Sequence, residues 1–469
     1  EMEVTVKLGA MKDGTIRAIE VHALSNTGAY GEHGPTTIGL VGHKSIPLYS
    51  GKYEAFRFVA NTVYSNHPSA GAYRGYGATQ GVFAMENTVN LMAHKLGIDP
   101  VKIREHNMLH EGDIMTAYNN ETANACALDQ CMARCKEMMD WDSKFPAKTL
   151  PNGHIRSVGV AMAMQGSCIS FVDEANVTIK MNDDGFYSLL VGSTDMGTGS
   201  DTILAQMAAD VLECDLDDVV TYGVDTDTSP YDSGSYASST TYLTGNAVVK
   251  AAEQLRQNIT EQAAKRLECP KDEVAFDGKI LTCVSTGSSI TLKELANQLQ
   301  GGTEGWQSVT AGGNSPVSPP PYMVGMAEID VDPETGKVVP IKYTACVDCG
   351  TVVNPNLARV QTEGGLMQGL GMALYEGQNY NGTGFNRMRN LMQYKIPTRM
   401  DIPEIEVDFR QSYEPTGPFG AKSIGEIVIN TPSPAIAHAI FNATGVMHHE
   451  LPIMPEHVWR GIQEKKQQG

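Results

Sequence analysis

Alternating apolar and polar residues predict β-strands along much of the chain. Two such runs flank the turn Lys12-Asp13-Gly14, and two more flank residues 182–185, so each pair predicts a β-hairpin. A continuous apolar run at 159–164 predicts a strand that is buried on both faces. The predicted strands are 2–8, 16–21, 61–64, 159–164, 177–181, 187–191, 323–331 and 341–348.

Apolar residues at a helical period predict helices between these strands. The predicted helices are 80–96, 100–104, 126–139, 202–212, 247–267 and a segment that follows residue 360. This mixture predicts an α/β mixed (α+β) fold. Proline and lysine interrupt the stretch 145–152, which predicts a domain boundary near residue 150. A second stretch rich in Pro, Gly and Ser predicts possible subdomains 151–315 and 316–469.

The composition is typical of a globular protein with an acidic surface. Of the 469 residues, 41% are hydrophobic and 19% are charged, and the net charge is -19 with a pI near 5.0. The length predicts two or three domains. The charge disfavours nucleic acid and anionic membranes as partners, and the sequence contains no apolar run of membrane-spanning length. Nine cysteines without a regular spacing indicate reduced thiols in a cytoplasmic protein.

One glycine-rich stretch near the end of the chain suggests catalysis. Residues 417–426 contain three glycines and a proline, which allow close approach of the backbone to a ligand, and they end on the carboxylate of Glu426. Apolar residues 427–429 follow directly. A carboxylate in such surroundings loses water, which raises its pKa and suits it to accept a proton. The alternative is an ordinary loop with a solvated glutamate.

Three more loops have compositions that suit ligand binding. Residues 71–80 place Arg74 among glycines and aromatic residues, which indicates either a site for an anion or planar ring or a tight strand-to-helix turn. Residues 192–201 form a glycine-rich turn before a helix, and its backbone N–H groups predict an anion site. Residues 233–241 are dense in small hydroxyl side chains, which indicates either a flexible linker or a polar ligand cradle.

In sequence and order, these loops resemble the molybdopterin-binding subunit of the xanthine dehydrogenase family. The segments that carry the resemblance are 72–80, 196–199, 236–240, 361–364 and 420–426. The resemblance covers essentially the whole chain. It implies the two-domain molybdenum-cofactor-binding architecture of the xanthine dehydrogenase/aldehyde oxidase type. Residues 1–150 would then be the C-terminal part of the first molybdopterin-binding domain, and residues 151–469 would be the second.

The resemblance also implies roles for individual residues. Glu426 matches the family's catalytic base, which takes a proton from a hydroxide on molybdenum so that the oxygen can attack an electron-poor carbon. The residues implied to bind the cofactor are Arg74, Gly197, Thr198, Gly199, Ala237, Ser238, Ser239, Thr240 and Gln361. The residues implied to contact the substrate are His43, Lys44, Tyr76, Gln165 and Tyr236. No direct protein ligand to the metal is expected, because a pterin dithiolene holds it.

The activity that the resemblance implies is molybdenum-dependent hydroxylation of an aromatic N-heterocycle, above all a purine such as xanthine or hypoxanthine. Nicotinate, another heterocycle or an aldehyde are alternative substrates, and a non-catalytic cofactor-carrying or assembly subunit is the alternative function. Thr198 and Tyr76 depart from the family, which has a glutamine and a phenylalanine at these places. His43 or Lys44 stands where animal purine oxidases have an arginine that anchors the substrate.

The implied cofactors are molybdenum and molybdopterin, the latter in the cytosine dinucleotide form if the chain follows the bacterial habit of separate subunits. [2Fe-2S] clusters and FAD are expected on partner chains, an iron–sulfur subunit and an FAD subunit, because the sequence has no cluster-type cysteine spacing. The family's preceding segment, which carries another substrate-facing glutamate, has no match here. We therefore expect the chain to be the C-terminal two-thirds of such a subunit, with that N-terminal part as a further partner.

Overall fold

The computed structural model describes residues 1–303 and 305–468. Its strands are β1 Met2–Ala10, β2 Ile16–Asn26, β3 Ala55–Val63, β4 Ile114–Met115, β5 Glu121–Thr122, β6 Lys148–Thr149, β7 Ile155–Met164, β8 Glu174–Met181, β9 Tyr187–Val191, β10 Val219–Tyr222, β11 Val274–Phe276, β12 Ile280–Cys283, β13 Ser289–Thr291, β14 Ser308–Asn314, β15 Tyr322–Val331, β16 Val338–Asp348 and β17 Glu404–Phe409. Its helices are α1 Gly34–His43, α2 Ala78–Leu96, α3 Pro100–Asn107, α4 Leu128–Met139, α5 Trp141–Lys144, α6 Ser200–Leu212, α7 Gly245–Arg266, α8 Leu292–Gln300, α9 Pro355–Leu374, α10 Pro432–Thr444 and α11 Pro455–Gln468. The prediction of a mixed α/β fold is confirmed.

A five-stranded sheet in the order β17-β16-β15-β7-β6 forms the centre of the molecule. Its two inner strands, β7 and β15, are antiparallel and pair along their whole length, from Met164 with Tyr322 to Ile155 with Val331. Helix α10 packs along β7 and β15, and α4 packs along β15 and β16. Because helices cover the sheet, residues 158–164 are buried without alternation, as their continuous apolar run predicts.

A second sheet, in the order β10-β9-β8-β14, has its own layer of helices. Helix α7 packs against β8 and β14, and α6 packs against α7 and β10. The buried face of α7 is rich in alanine, so that the helix lies close to the strands. The predicted hairpin of residues 177–181 and 187–191 is confirmed as β8 and β9. The predicted hairpin at the start of the chain is confirmed as β1 and β2, which β3 extends in parallel.

Two large apolar cores correspond to these two sheets. One joins residues between 16 and 164 with residues between 322 and 462, and the other lies between 177 and 311. The first core contains side chains from both sides of residue 150, including Trp141 and Val158. The predicted domain boundaries near 150 and 315 stay predictions. No helix within residues 1–303 or 305–468 combines the length and apolar character needed to cross a bilayer.

Helix α9 is longer than its sequence pattern predicts. The sequence pattern predicts a helix only after residue 360, whereas α9 begins at Pro355. The Asn354 side chain accepts a hydrogen bond from the backbone N–H of Leu357 at 3.1 Å, and proline needs no N–H partner at the first helical position. The cap and the proline therefore start the helix at once. Its N-terminal end faces the second core.

We predict that Gly159→Ala destabilises the fold, because a β-carbon at this position in β7 would lie 2.1 Å from the carbonyl oxygen of Ala435 in α10. Adding one methyl group to such a contact costs about 1–3 kcal/mol of unfolding free energy. Thermal or denaturant unfolding measures the loss. Gly39→Ala in α1 is the matched control, since a β-carbon there meets nothing within 4 Å. Equal losses in the two variants would contradict the prediction.

Candidate active site

A buried ion pair fixes the loop that carries Glu426. The ammonium group of Lys422 lies 2.9 Å from Asp348 Oδ2 at the end of β16, and it also donates to the carbonyl oxygen of Ala125 at 3.0 Å. Neither charged side chain is exposed to solvent. A buried charge that loses its partner costs far more than a surface charge does. The pair therefore holds the loop in one position relative to the central sheet.

The remaining acceptors of Asp348 are also occupied. Its Oδ1 accepts hydrogen bonds from the backbone N–H of Gly350 at 3.0 Å and from Ser412 Oγ at 2.7 Å. Its Oδ2 accepts a further hydrogen bond from the backbone N–H of Ala127 at 2.8 Å. The backbone N–H of Ser423 then donates to Ser167 Oγ at 3.1 Å, which ties the loop to the end of β7.

The carboxylate of Glu426 is buried and held by three hydrogen-bond donors. Its Oε1 accepts from the backbone N–H of Gly75 at 3.3 Å. Its Oε2 accepts from Gln165 Nε2 at 2.9 Å and from Ser238 Oγ at 3.2 Å. Burial raises the pKa of Glu426, while these three hydrogen bonds and the charge of Lys44 oppose the rise. The side chain thus combines a fixed orientation with increased basicity.

Arg74 joins its own loop to the Glu426 loop and to helix α9, which are far apart in the sequence. Its Nε donates to the carbonyl oxygen of Gly425 at 2.5 Å, and its Nη1 donates to Gln368 Oε1 at 2.9 Å. Its Nη2 donates to Gln361 Oε1 at 3.1 Å. Gln361 in turn donates through Nε2 to the carbonyl oxygen of Gly197 at 3.0 Å. The guanidinium group therefore fixes the spacing between the Glu426 loop, α9 and the turn before α6.

The turn before α6 is closed by one of its own carboxylates. Asp195 Oδ1 accepts from the backbone N–H groups of Gly197 at 2.9 Å, Thr198 at 2.9 Å and Gly199 at 3.2 Å. The predicted anion site at this turn is therefore already filled by Asp195. Burial alone would raise the pKa of Asp195, but these backbone hydrogen bonds and one from Asp201 lower it.

The hydroxyl-rich stretch 233–241 is an ordered part of the site. Ala237 and Ser238 have positive φ angles of 52° and 57°, which turn the Ser238 hydroxyl toward Glu426. Ser239 Oγ donates to the carbonyl oxygen of Gly234 at 3.0 Å. A short π-helical turn, Thr240–Thr244, then leads into α7. Of the two interpretations of this stretch, these contacts favour the cradle over the flexible linker.

A cleft lies between the two cores, directly beside the Glu426 loop. Four of the residues that the resemblance assigns to the cofactor line it, namely Thr198, Ser238, Thr240 and Gln361. The hydroxyl groups of Ser200 and Ser423 also belong to this lining, and neither has a hydrogen-bond partner among the described residues. Buried hydroxyl groups are normally paired, so these two are available to a bound polar group.

Lys44 is a buried lysine on the other side of Glu426. Its ammonium group donates to the Tyr118 hydroxyl at 2.7 Å, and Tyr118 donates to the carbonyl oxygen of Ser318 at 2.6 Å. Burial lowers the pKa of Lys44 to about 7, and the nearby carboxylates of Glu121 and Glu426 are among the groups that oppose that fall. One ammonium group with a single neutral partner leaves two N–H donors for a ligand.

Two tyrosines complete this side of the site. The Tyr236 hydroxyl donates to Asp173 Oδ1 at 2.8 Å, and burial together with that carboxylate raises the pKa of Tyr236 to about 12. The Tyr76 hydroxyl is buried and has no hydrogen-bond partner among the described residues. Burial raises the pKa of Tyr76, and after burial the carboxylate of Glu426 is the largest contribution. The hydroxyl of Tyr76 therefore lies close to the candidate base.

His43 lies apart from this group. Its ring stacks on Tyr118 with a centroid distance of 4.2 Å, and it lines a separate surface groove with Phe56 and Phe58. Burial, followed by the charge of Lys44, lowers the pKa of His43 to about 3. Of the two residues considered for the position of the anchoring arginine, Lys44 is the one whose charge acts on Glu426.

Sequence reasoning missed several residues of this site. The backbone N–H of Gly75, the amide of Gln368 and the carboxylates of Asp195 and Asp348 all hold site residues in place. A local signal existed only for Asp195, because an Asp before a glycine-rich turn often accepts its backbone N–H groups. Within the two described ranges, no cluster of three or more His, Cys, Asp or Glu side chains could hold a metal ion.

Comparison with known proteins matches most of the chain to cofactor-binding domains. The family described as molybdopterin cofactor-binding domain matches residues 134–403, and a second family of the same description matches residues 1–108. The probable hypoxanthine oxidase XdhD of Escherichia coli (strain K12) is 37% identical over 98% of this chain and 49% of its own length. The putative xanthine dehydrogenase molybdenum-binding subunit XdhA of the same strain is 33% identical over 97% of this chain and 61% of its own length.

The fold also matches a solved structure. Quinoline 2-oxidoreductase from Pseudomonas putida 86 superimposes with a TM-score of 0.90 over 99% of this chain and 62% of that chain, at 23% identity. Such a match at this identity shows a shared fold. The chain spans about half to three-fifths of the length of the curated relatives described above.

We predict that Lys422→Met destabilises the site and the fold, because it leaves the Asp348 carboxylate buried without its counter-charge. Breaking a buried pair on one side costs about 3–5 kcal/mol. Thermal unfolding of the variant measures this loss. The double variant Lys422→Met/Asp348→Asn removes both charges and keeps an acceptor oxygen for Gly350 and Ser412, so it should regain part of the stability. If the double variant were no more stable than the single one, the ion pair would not be the cause.

Proposed function

The chain belongs to the xanthine dehydrogenase family of molybdopterin-binding molybdenum hydroxylases, and from this premise we propose that it hydroxylates an aromatic N-heterocycle, above all a purine such as xanthine or hypoxanthine. The observation that carries the proposal is the buried carboxylate of Glu426, which three donors orient at the edge of the cleft. A subunit that only carried or delivered the cofactor would not need a base that is held in this way.

The cleft suits a molybdenum–pterin cofactor. The unpaired hydroxyl groups of Ser200 and Ser423 offer hydrogen bonds to a polar ligand, as do Thr198 and Thr240. Gly425 has no side chain to fill the space beside Ser238. Arg74 and Gln361 would hold the part of the group nearest to the Glu426 loop. When bound, this group supplies the oxygen-transfer and electron-accepting chemistry of the reaction.

The protein's own contribution is centred on proton transfer and orientation. Burial makes the Glu426 carboxylate more basic than a solvated one, and a base whose pKa is raised toward the working pH accepts a proton more effectively. The hydrogen bonds from Gly75 and Gln165 keep its two oxygens from rotating. Both cores exclude water around it, which strengthens every electrostatic contact in the site.

The residues that are expected to contact the substrate suit a flat, polar ring. The phenol of Tyr76 offers a ring face and a free hydroxyl group, and Gln165 Oε1 is likewise without a partner among the residues described. The ammonium group of Lys44 would stabilise negative charge that develops on an oxo-heterocycle during attack. Because it is a compact charge without a bidentate fork, it equally suits a carboxylate, and nicotinate is therefore the second candidate substrate.

We further propose the cytosine dinucleotide form of the cofactor, with [2Fe-2S] clusters on an iron–sulfur subunit and FAD on an FAD subunit. The support is that the similar protein XdhA is described as a molybdenum-binding subunit. The rest of the molybdopterin subunit would be a further partner. A cytoplasmic location accords with the nine cysteines, all of which are free thiols.

The test of the proposed function is Glu426→Gln. We expect the variant to keep its fold and its molybdenum content while turnover with xanthine or hypoxanthine falls about 10²–10⁴-fold, since the general base is lost. Steady-state kinetics and metal analysis on the same preparation give both values. Glu105→Gln, at an exposed position of α3 outside the site, is the matched control and should leave turnover unchanged. Near-normal turnover of Glu426→Gln at full molybdenum content would overturn the assignment of the base.

The pKa of Lys44 predicts how substrate choice depends on pH. Below about pH 7 the ammonium group is charged, and above it the group becomes neutral. We therefore expect kcat/KM for an oxo-purine or a carboxylate substrate to fall as the pH rises through 7, whereas an uncharged aldehyde shows no such fall. Lys44→Met should abolish this alkaline limb and weaken the purine reaction selectively. Parallel pH profiles of kcat/KM for both substrates test this prediction. Equal losses of kcat/KM on both substrates in Lys44→Met would show that Lys44 takes no part in substrate choice.

A further inference from the structure

Two cysteines lie together beside the second core, outside the candidate active site. Cys269 follows the C-terminal end of α7, and its backbone N–H donates to the carbonyl oxygen of Ala264 at 3.1 Å. Cys283 is the last residue of β12 and pairs with Val274 of β11. The two cysteine side chains are within hydrogen-bonding distance of each other. Both are free thiols.

The turn after β12 surrounds the sulfur atom of Cys283 with hydrogen-bond donors. Cys283 Sγ lies 3.3 Å from the hydroxyl oxygen of Ser285, and the hydroxyl and the backbone N–H of Thr286 are further partners. The backbone N–H of Gly287 donates to the carbonyl oxygen of Cys283 at 2.8 Å, and the N–H of Cys283 donates to the carbonyl oxygen of Ser288 at 2.8 Å. These bonds fix the turn, so the donors stay directed at the sulfur. Such donors stabilise a thiolate.

The two sulfur atoms therefore differ in acidity. Hydrogen bonds from Ser285 and Thr286 lower the pKa of Cys283 to about 6, and a hydrogen bond from Cys269 acts in the same direction. Partial burial, followed by the hydrogen bond to Cys283, raises the pKa of Cys269 to about 11. At neutral pH a thiolate thus lies next to a protonated thiol. Oxidation-sensitive cysteines have this arrangement, in which a low-pKa sulfur lies beside a second, resolving sulfur.

The other seven cysteines lack this combination. Six of them are buried, namely Cys126, Cys131, Cys135, Cys168, Cys346 and Cys349. Cys214 is half-buried, and burial raises its pKa to about 11. Cys131 and Cys346 are also hydrogen-bond neighbours, but both are inaccessible to solvent, and burial raises the pKa of Cys131 well above its ordinary value. Because buried thiols in such surroundings are inert, this second pair shows proximity without reactivity.

We propose that Cys269 and Cys283 form a reversible disulfide when the protein meets hydrogen peroxide, so that the pair is an oxidation site separate from the cleft. The Cys283 thiolate attacks one peroxide oxygen, the O–O bond breaks, and with one proton taken up the products are a sulfenic acid and water. The Cys269 sulfur then attacks the Cys283 sulfur, the S–O bond breaks, and the proton of the Cys269 thiol leaves in a second water. In total, two thiols are oxidised to one disulfide and one peroxide is reduced to two waters.

The site is independent of the proposed function. Helix α7 begins directly after the turn Thr240–Thr244, which reaches the cleft, and it continues for 22 residues toward Cys269. A helix of this length spans about 33 Å, so oxidation of the pair does not alter the surroundings of Glu426 directly. A metal ion is the other ligand that two neighbouring sulfurs bind. A structural metal site takes four ligands, and in the described part of the chain no third His, Cys, Asp or Glu completes such a group.

The experiment exposes the enzyme, as purified with its native partners, to hydrogen peroxide at neutral pH. Free thiols are then alkylated, and peptide mass spectrometry maps every cysteine. We expect a disulfide between Cys269 and Cys283 as the main product, which dithiothreitol reverses, while Cys131 and Cys346 stay reduced. In Cys269→Ser the second step is blocked, so Cys283 should proceed to sulfinic and sulfonic acids that dithiothreitol does not reverse. In Cys283→Ser, oxidation of Cys269 should be slower by about tenfold or more.

The pH dependence of alkylation tests why Cys283 reacts. Only the thiolate is alkylated, so the rate for Cys283 in Cys269→Ser should rise with pH to a plateau with a midpoint near 6, instead of the value of about 8.5 for a free cysteine. Ser285→Ala removes one donor and should shift this midpoint upward. Ser289→Ala, at an exposed position of the neighbouring strand β13, is the matched control and should leave the midpoint unchanged.

Three results would overturn the proposal. These are no Cys269–Cys283 disulfide in the peroxide-treated enzyme, equal oxidation of Cys131 and Cys346, or an alkylation midpoint near 8.5 that Ser285→Ala does not shift. Turnover measured on the same samples keeps the two proposals apart. Loss of the disulfide in Cys283→Ser should leave turnover unchanged, and Glu426→Gln should still form the disulfide.

Discussion

The buried pair of Lys422 and Asp348 is the contact on which the geometry of the site depends. The loop from 417 to 426 is rich in glycine and has no regular structure long enough to hold itself in place. One buried charge that cannot leave its partner without a large loss of free energy anchors it, and the contacts of Ser423 and Gly425 add to this anchor. Since Glu426 lies only four residues beyond Lys422, the anchor decides where the carboxylate meets Gly75, Gln165 and Ser238.

Hydrogen bonds between the two cores also position the site. Ser238 and Gly197 belong to the part of the chain that packs around the second sheet, whereas Glu426, Arg74 and Gln361 are attached to the first. Hydrogen bonds from Gln361 to Gly197 and from Ser238 to Glu426 cross this boundary. A cleft that is lined by residues from both cores can admit a large cofactor and orient its ends.

The sequence predicted what is local and missed what depends on distant contacts. The hairpins and the helices at 80–96 and 247–267 follow from periodicity over a few residues, and the structure has them. For Glu426 the glycine-rich run left a solvated loop as the alternative, whereas the structure has the carboxylate buried beside the cleft. No local pattern could show that Lys422 is buried against Asp348 or that β7 pairs with β15. For Asp195 a local signal existed, because an Asp before a glycine-rich turn often accepts its backbone N–H groups. The long irregular segment 375–403 between α9 and β17 was not predicted either, because an irregular segment has no period to recognise. The roles of the individual site residues stay predictions.

The pKa values of Glu426 and Lys44 depend on each other. Burial raises the pKa of Glu426 and lowers that of Lys44, and the attraction between them opposes both changes. Under the proposed function, an anionic group bound at Lys44 would bring negative charge close to Glu426. That charge would offset the stabilisation that Lys44 gives to the carboxylate, so the pKa of Glu426 would rise further. Glu426 would then be most basic when a substrate of the right charge is in place, and recognition by Lys44 would contribute to the proton transfer itself.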